Sequence, residues 1–500
     1  LAQLTLTVAV ELLKQHQLLK RVVKPAKGIE ITYVSYDSRN IKKQTMLFCK
    51  GNFKYEYLLT AIPQGVMVYV AEHEYDVEIC GLIVTDIQKA MALLGAAFYG
   101  NPEKKLHIAA YTGTKGKTTS AYFTYNILQQ YTKQHTALFS TVDRILGLHD
   151  QFKSELTTPE SLDLFHDMRK AVDNGMTHLV MEVSSQAYKM NRVYNLHYDV
   201  GVFLNISPDH IGRNEHRDFQ DYLQCKLELV KNSRTVILNG SSQVYDTLRA
   251  TAEKYCQHIY TYSSLDGVGD VCFTQVKTTL QGSTFRLETR NQAQKLALDG
   301  PYQIKIAGSY NVENATSAAL VASLLGAEPK DIRQGLLVTK VKGRMESLDA
   351  KNHGMVYIDY AHNYLSLKAL LAFLKKQTHA GRVIAVLGSP GDKGISRRPG
   401  FSEALNEEAD EVYLTADDPG FEDPLEIAQE IDRFIDHDLV KVHFEMDRAQ
   451  AIKKAILASC QHDIVVLAGK GEDPYQKIKG KDYPYPTDGV IAKKVIEEFD

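Results

Sequence analysis

The stretch YTGTKGKTTS, Tyr111 to Ser120, follows the apolar run LHIAA and precedes AYFTYNILQQY, which reads as a helix. Glycines at 113 and 116 let the backbone bend so that several N–H groups converge on one anion. A helix starting at the loop adds a favourable dipole. Strand, glycine turn and helix together make this a phosphate loop in an α/β domain with a parallel sheet. Gly113, Thr114, Lys115, Gly116, Lys117, Thr118 and Thr119 would line it. Lys117 would reach the outer phosphates, and the Thr118 hydroxyl would meet Mg²⁺. The strict spacing of this motif calls for glycine at 111, where the chain has Tyr111, so the loop is a variant. A polar turn without a nucleotide is the plainer alternative, and the flanking strand and helix argue against it.

Around this loop the chain is long. Its 500 residues exceed one hydrophobic core, which implies two to four domains. An apolar share of 44% and a charged share of 24% belong to an ordinary soluble protein. A net charge of -3, without a long basic run, argues against nucleic acid or an anionic membrane as partner. Small basic groups such as SRRP (Ser396 to Pro399) suit a discrete anionic ligand instead. Six scattered cysteines form no CxxC pair, which fits a reducing cytosol. The opening LAQLTLTVAVELLKQHQLLK reads as an amphipathic helix rather than a signal peptide, and no apolar run reaches membrane-spanning length. The initial Leu1 reads as a start that was lost or processed.

Up to residue 103 the runs GVMVYVA and CGLIVTD mark a small α/β unit, and YGNPEKK is a candidate linker. Between 104 and 340 the runs LHIAAYTG, THLVMEVS, YDVGVFLNI and TVILNG alternate with helical segments, the pattern of a parallel sheet covered by helices. From 341 to 500 a second series, MVYIDYAH, RVIAVLGS, EVYLTADD and DIVVLAGKG, ends each strand in a polar or glycine-rich turn. Ligands of open α/β sheets bind at such carboxyl ends. Three domains are expected: 1–103, 104–340 and 341–500.

Two further residues stand out on chemistry alone. Glu182 lies in the otherwise apolar VMEVSSQ, and a buried carboxylate is costly unless a metal or charge offsets it. His210 follows the strand in FLNISPDH. By itself it reads as a surface histidine; with a phosphate loop and a strand carboxylate it becomes a candidate metal ligand.

TGTKGKTT, MEVSSQA, FLNISPDH, YLQCKLEL, GSYNVENA, GRMESL, DYAH and GKGEDPYQ occur in the order in which similar motifs occur in the Mur ligases, and the chain resembles that family from YDSRN almost to its end. The resemblance implies a UDP-sugar domain, a central ATPase domain and a C-terminal Rossmann-like domain that binds the amino acid. Ser38 of DSR resembles the uridine-nucleotide contact. Thr157 and Thr158 resemble the loop that binds the muramoyl-peptide, and Ser184 and Arg192 match substrate positions. Without the resemblance, both threonines read as helix caps before PESLDLFHDM.

Lys226 of YLQCKLEL matches a lysine that these enzymes carbamylate with CO₂. A carbamate offers magnesium an anionic oxygen, whereas an ammonium would repel it. Alone, Lys226 would read as a solvated lysine on an amphipathic helix. The resemblance places Thr118 and Glu182 on one Mg²⁺, with His210 and carbamylated Lys226 near a second. Asn311 and Asn314, which otherwise read as helix caps, resemble nucleotide contacts, as do Arg344, Asp359 and His362. After DYAH the family continues with Thr-Pro, and this chain has Asn363-Tyr364.

The implied activity is an ATP-dependent acid–amino-acid ligase of peptidoglycan precursor synthesis, with Lys117, Glu182, His210 and Lys226 as its catalytic core. ATP and UDP-MurNAc-L-Ala-D-Glu are the implied small-molecule partners, and a cytoplasmic monomer is expected. Members that use meso-diaminopimelate carry Asp-Asn-Pro-Arg where this chain has Asp417, Asp418, Pro419 and Gly420. Without the arginine, Asp417, Asp418 and either Glu472 or Asp473 suit the ammonium groups of L-lysine. Lys393 or Arg397 would hold its carboxylate. Ornithine, diaminopimelate, a folylpolyglutamate-synthetase-like ligase and a non-catalytic nucleotide-binding protein are the alternatives.

Overall fold

The runs GVMVYVA and CGLIVTD form the strands Val66–Ala71 and Cys80–Val84, because five of six and all five of their residues are buried. The computed structural model describes residues 4–499 apart from 209–210, 213–215, 265–266, 268, 379 and 393–394. It forms two compact units: Leu1–Thr274 with Leu287–Gly300 and Asn314–Gly335, and Gln275–Arg286 with Pro301–Glu313 and Leu336–Asp500.

In the first unit, five strands run in the order Leu19–Val23, Cys80–Val84, Val66–Ala71, Thr45–Phe48 and Tyr33–Ser35. All neighbours are parallel except the first pair. The expected N-terminal helix is shorter than its sequence suggested, Leu6–Gln15, and Leu19 already begins a strand. The change follows Gln17, whose φ of +56° leaves the helical region.

The larger sheet of this unit orders Asp150–Lys153, Asp143–Gly147, Thr136–Phe139, His178–Glu182, His107–Thr112, Tyr198–Phe203, Ser233–Asn239 and His258–Ser264. From Thr136–Phe139 onward every pair is parallel. Strands covered on both faces read as continuous apolar runs, which is why LHIAAYT and THLVMEV were legible. Helix Ser161–Asp173 turns Leu162, Leu164, Phe165, Met168 and Ala171 inward at helical spacing. The next strands, Val271–Thr279, Gly282–Thr289 and Gly300–Ile304, are each divided between the two units.

The second unit carries Glu346–Leu348, Met355–Asp359, Ile464–Ala468, Val383–Leu387, Glu411–Leu414 and Lys441–Phe444 in that order. Only the first pair is antiparallel. Val356, Ile358, Ile384, Val386, Val465 and Leu467 pack with Ile452 and Ile456 of one helix and Ala492 and Val495 of another. Among the described residues no helix is long and apolar enough to cross a membrane, and the six cysteines are free.

Candidate active site

In the first unit three parallel strands end at one level: Glu182 pairs with Tyr111, and Phe203 with Thr112. The glycine loop begins there, where open α/β sheets bind ligands. Helix Lys117–Tyr131 follows it directly, with Gly116 as its cap at a φ of +84°. That conformation favours glycine, and a Cβ at Gly116 would also come within 2.4 Å of Asn314 Oδ1. Lys117 folds back over the loop, its Nζ donating to the Gly113 carbonyl at 2.8 Å. Thr118 and Thr119 lie buried at the helix start.

Asn205, which sequence reasoning did not assign, grips the loop from the end of the next strand. Its Oδ1 accepts from Lys115 N at 2.9 Å and its Nδ2 donates to Lys115 O at 3.1 Å. Its own carbonyl accepts from Thr114 N. The signal was present in FLNIS, an asparagine directly after an apolar strand.

Lys226 is not a solvated lysine. It is 1% exposed, on the face of helix Phe219–Lys231 that buries Tyr222, Leu223, Leu227 and Val230. Its Nζ donates to the Gly113 carbonyl at 2.8 Å and lies 4.7 Å from the Tyr222 ring centre. A buried ammonium is costly, so its placement against the loop demands a reason. Glu182 is also 1% exposed. Its carboxylate accepts from Thr141 N at 2.7 Å and from Thr141 Oγ1 at 3.1 Å, so two hydrogen bonds supply part of the offset expected of a metal. His210 lies outside the described residues.

Thr157 and Thr158 do not cap the following helix, correcting the expectation drawn from their position. The helix begins at Ser161 behind Glu160. Thr158 Oγ1 instead donates to Glu182 O and accepts from Ser184 N, both at 3.1 Å. Thr157 Oγ1 bonds Thr141 Oγ1. Ser184 caps the short helix Ser185–Lys189. Glu160 is drawn away from capping because Arg192 Nε donates to its Oε1 at 3.0 Å and Lys50 Nζ to its Oε2 at 2.6 Å. Thr157, Thr158, Ser184 and Arg192 are therefore one connected group around Glu182, with Lys50 and Glu160 as members the sequence did not reveal. Ser38 sits in the turn after Tyr33–Ser35, part-exposed. A second unforeseen group adjoins: His216, fully buried, bonds Ser185 Oγ at 2.8 Å and Asp221 Oδ2 at 3.3 Å.

In the second unit the strand ends again gather the expected residues. Asp359 pairs with Ala468, which pairs with Leu387. The Asp359 carboxylate accepts from Met345 N at 2.8 Å, while Arg344 lies over the Tyr360 ring at 4.9 Å. His362 Nδ1 bonds the Tyr360 carbonyl. Asn311 Nδ2 donates to Ala307 O at 2.6 Å. Pro419 and Gly420 complete a turn in which Gly420 has a φ of +62°. Asp473 accepts from the Tyr360 hydroxyl at 3.3 Å, and burial raises the Glu472 carboxyl above its usual range. Arg397 ends the short turn Ile395–Arg397. Lys393 lies outside the described residues. Asp417 and Asp418 meet a cation that the sequence reading did not assign: Lys470 Nζ lies 3.3 Å from Asp417 Oδ1 and 2.7 Å from Asp418 Oδ1.

Comparison with known proteins identifies the family. Residues 112–322 match the family described as Mur ligase middle domain, and residues 343–471 match Mur ligase, glutamate ligase domain. The chain is 58% identical over 511 aligned positions to the UDP-N-acetylmuramyl-tripeptide synthetase of Ligilactobacillus salivarius, covering 99% of this chain and 100% of that one. It is 47% identical to the UDP-N-acetylmuramoyl-L-alanyl-D-glutamate--L-lysine ligase of Enterococcus faecalis, over 94% of this chain and 92% of that one. Among solved structures, a UDP-N-acetylmuramoyl-L-alanyl-D-glutamate--2,6-diaminopimelate ligase shares the fold with a TM-score of 0.66 at 24% identity, covering 94% of this chain and 95% of that one.

Proposed function

The chain belongs to the Mur ligase family, and from that premise we propose that it uses ATP to join L-lysine to the D-Glu side-chain carboxyl of UDP-MurNAc-L-Ala-D-Glu. The observation that carries this reading is its 47% identity, over 94% of its length, to a ligase named for that step.

A carboxylate is a poor electrophile because oxide is a poor leaving group. In the proposed reaction one carboxylate oxygen attacks the γ-phosphorus of ATP and ADP departs, leaving an acyl phosphate. The amine of lysine then attacks the carbonyl carbon and loses a proton. The tetrahedral intermediate collapses to the amide, and inorganic phosphate leaves with one former carboxylate oxygen.

The glycine loop would cradle the ATP phosphates with its backbone N–H groups, and Lys117 would swing from the Gly113 carbonyl to the γ-phosphate. Asn205 would hold the loop open, and Asn314 would border it at Gly116. Thr118 at the helix start and Glu182 at a strand end offer oxygen donors, a donor set that suits Mg²⁺. Lys226, once carbamylated, would add an anionic oxygen beside the same loop, and His210 is the further metal ligand that the family resemblance implies. Bound magnesium would offset the charge that gathers on the phosphates. Thr157, Thr158, Ser184 and Arg192 would orient the muramoyl-peptide and Ser38 the uridine nucleotide. In this assignment residues 1–103 bind the UDP-sugar, 104–340 bind ATP and 341–500 bind the amino acid, in a cytoplasmic monomer.

L-lysine is favoured over meso-diaminopimelate because Gly420 offers no cation to a distal carboxylate, while Asp417, Asp418 and Asp473 offer acceptors to an ammonium. Relatives named as tripeptide synthetases weigh against folate as substrate. An amino-acid panel tests the reading. Phosphate release should need UDP-MurNAc-L-Ala-D-Glu and L-lysine together, and comparable turnover with meso-diaminopimelate or with a folate would overturn it.

A further inference from the structure

His216 stands just ahead of helix Phe219–Lys231, where a polar side chain would ordinarily face water, yet it is 0% exposed. A buried imidazole needs partners for its ring nitrogens. Nε2 lies 2.8 Å from Ser185 Oγ, and Nδ1 lies 3.3 Å from Asp221 Oδ2. That carboxylate oxygen also accepts from Lys189 Nζ at 2.9 Å and from Arg217 N at 3.1 Å. The Lys189 hydrogen bond leads in holding the Asp221 carboxyl down to about 2, so the group is ionised and can only accept. His216 Nδ1 therefore carries the hydrogen, and in the neutral ring Nε2 accepts from the Ser185 hydroxyl.

Asp221 thus fastens both ends of the short helix Ser185–Lys189, the first residue through His216 and the last through Lys189. Ser184 caps this helix: its Oγ accepts from Ala187 N at 3.2 Å, and its N–H donates to Thr158 Oγ1 at 3.1 Å. The His216 ring also meets the Tyr222 ring, with centres 5.1 Å apart, and the Tyr222 and Thr114 hydroxyls are bonded at 3.1 Å. One imidazole therefore stands between the serines beside Glu182 and a threonine of the glycine loop. Serine, histidine and aspartate in this order also make the nucleophilic relay of hydrolases. Ser185 is 4% exposed, too enclosed for its hydroxyl to attack a substrate, so the arrangement holds rather than reacts.

We propose that His216 is a positioning residue for the muramoyl-peptide: bridging Ser185 to Asp221, it fixes the Ser184 cap against the helix that carries Lys226. The inference rests on the muramoyl-peptide reading of Ser184 above. Without the bridge, the serine helix keeps only its Lys189 end on Asp221, and the substrate loses its fixed place relative to Lys226.

The test compares S185A, H216Q and H216N, with KM measured separately for UDP-MurNAc-L-Ala-D-Glu, ATP and L-lysine. A glutamine amide reaches the place of Nε2 and can still bond Ser185, whereas an asparagine amide reaches only the place of Nδ1, beside Asp221. S185A and H216N should each raise the KM for the UDP-sugar roughly five- to tenfold, the weight of one hydrogen bond. H216Q should stay within about threefold, and the ATP and lysine KM values within about twofold in all three. Because S185A and H216N remove the same bond, the pair combined should be no worse than either alone. Additive losses in that pair would overturn the proposal, as would equal KM rises in H216Q and H216N. An unchanged UDP-sugar KM in S185A would overturn it too, and reads out even where a His216 variant does not fold. If the parent enzyme does not turn over UDP-MurNAc-L-Ala-D-Glu, the functional reading falls instead, and this is measured before any variant is made.

Discussion

The Lys226 ammonium nitrogen lies 2.8 Å from the Gly113 carbonyl oxygen, joining helix Phe219–Lys231 to the first residue of the glycine loop. Lys117 donates to that same carbonyl at 2.8 Å. Two cations therefore share one backbone oxygen, a crowded arrangement that carbamylation of Lys226 would relieve by exchanging a positive group for an anionic one. Lys226→Ala should abolish amide synthesis. Short carboxylic acids, added to supply the missing anionic oxygen, should restore part of it. Full activity in the variant would reject the role.

Asn205 holds Lys115 from both sides, through its N–H and its carbonyl. Asn205→Ala removes two hydrogen bonds worth about 1 kcal/mol each, so kcat/KM for ATP should fall roughly ten- to thirtyfold. The KM for the UDP-sugar substrate should change little. Equal losses for both substrates would mean that Asn205 supports the fold rather than the loop.

Gly116 meets two constraints, a left-handed backbone and the side chain of Asn314. Gly116→Ala should cost activity by at least about a hundredfold, since misplacing a phosphate loop by an ångström has effects of that order. Adding Asn314→Ala relieves the collision but not the φ of +84°, so the pair should stay impaired. Recovery in the double variant would show that space alone matters.

His178 begins the strand that ends at Glu182. Burial, aided by His107, pulls its imidazole down to about 4. The unfolded chain therefore binds more protons than the folded one between the ordinary histidine value, about 6.5, and about 4, and stability falls as pH drops through that window. His178→Gln removes this contribution. Urea midpoints measured from pH 7 to pH 5 should decline less in the variant than in the parent, and parallel declines would contradict the shift.

How far these features could be read in advance follows from how local their causes are. Gly113 to Thr119 was legible because strand, turn and helix are adjacent in the chain. The parallel strands showed as apolar runs for the same reason. Lys226 carried its identity by resemblance, yet its burial was also written in the helical spacing of Tyr222, Leu223, Lys226, Leu227 and Val230. Glu160 escaped notice because its partners, Lys50 and Arg192, are 110 and 32 residues away. The Thr157 and Thr158 caps failed for that reason as well: the tertiary pull on Glu160 and Glu182 outweighed a local preference. Lys470 stood in plain view within GKG, but its carboxylate partners precede it by 53 and 52 residues. His216 and Ser185, 31 residues apart, meet only once the chain is folded.

The central claim is that a carboxylate is activated as an acyl phosphate before lysine attacks. The measurement that meets it most directly uses UDP-MurNAc-L-Ala-D-Glu labelled with oxygen-18 in the D-Glu side-chain carboxyl, incubated with ATP, Mg²⁺ and L-lysine. One labelled oxygen should appear in inorganic phosphate for each amide formed, and no labelled phosphate should accumulate at a matching rate when lysine is withheld. Amide formation with all of the label retained in the UDP-linked product would contradict the account.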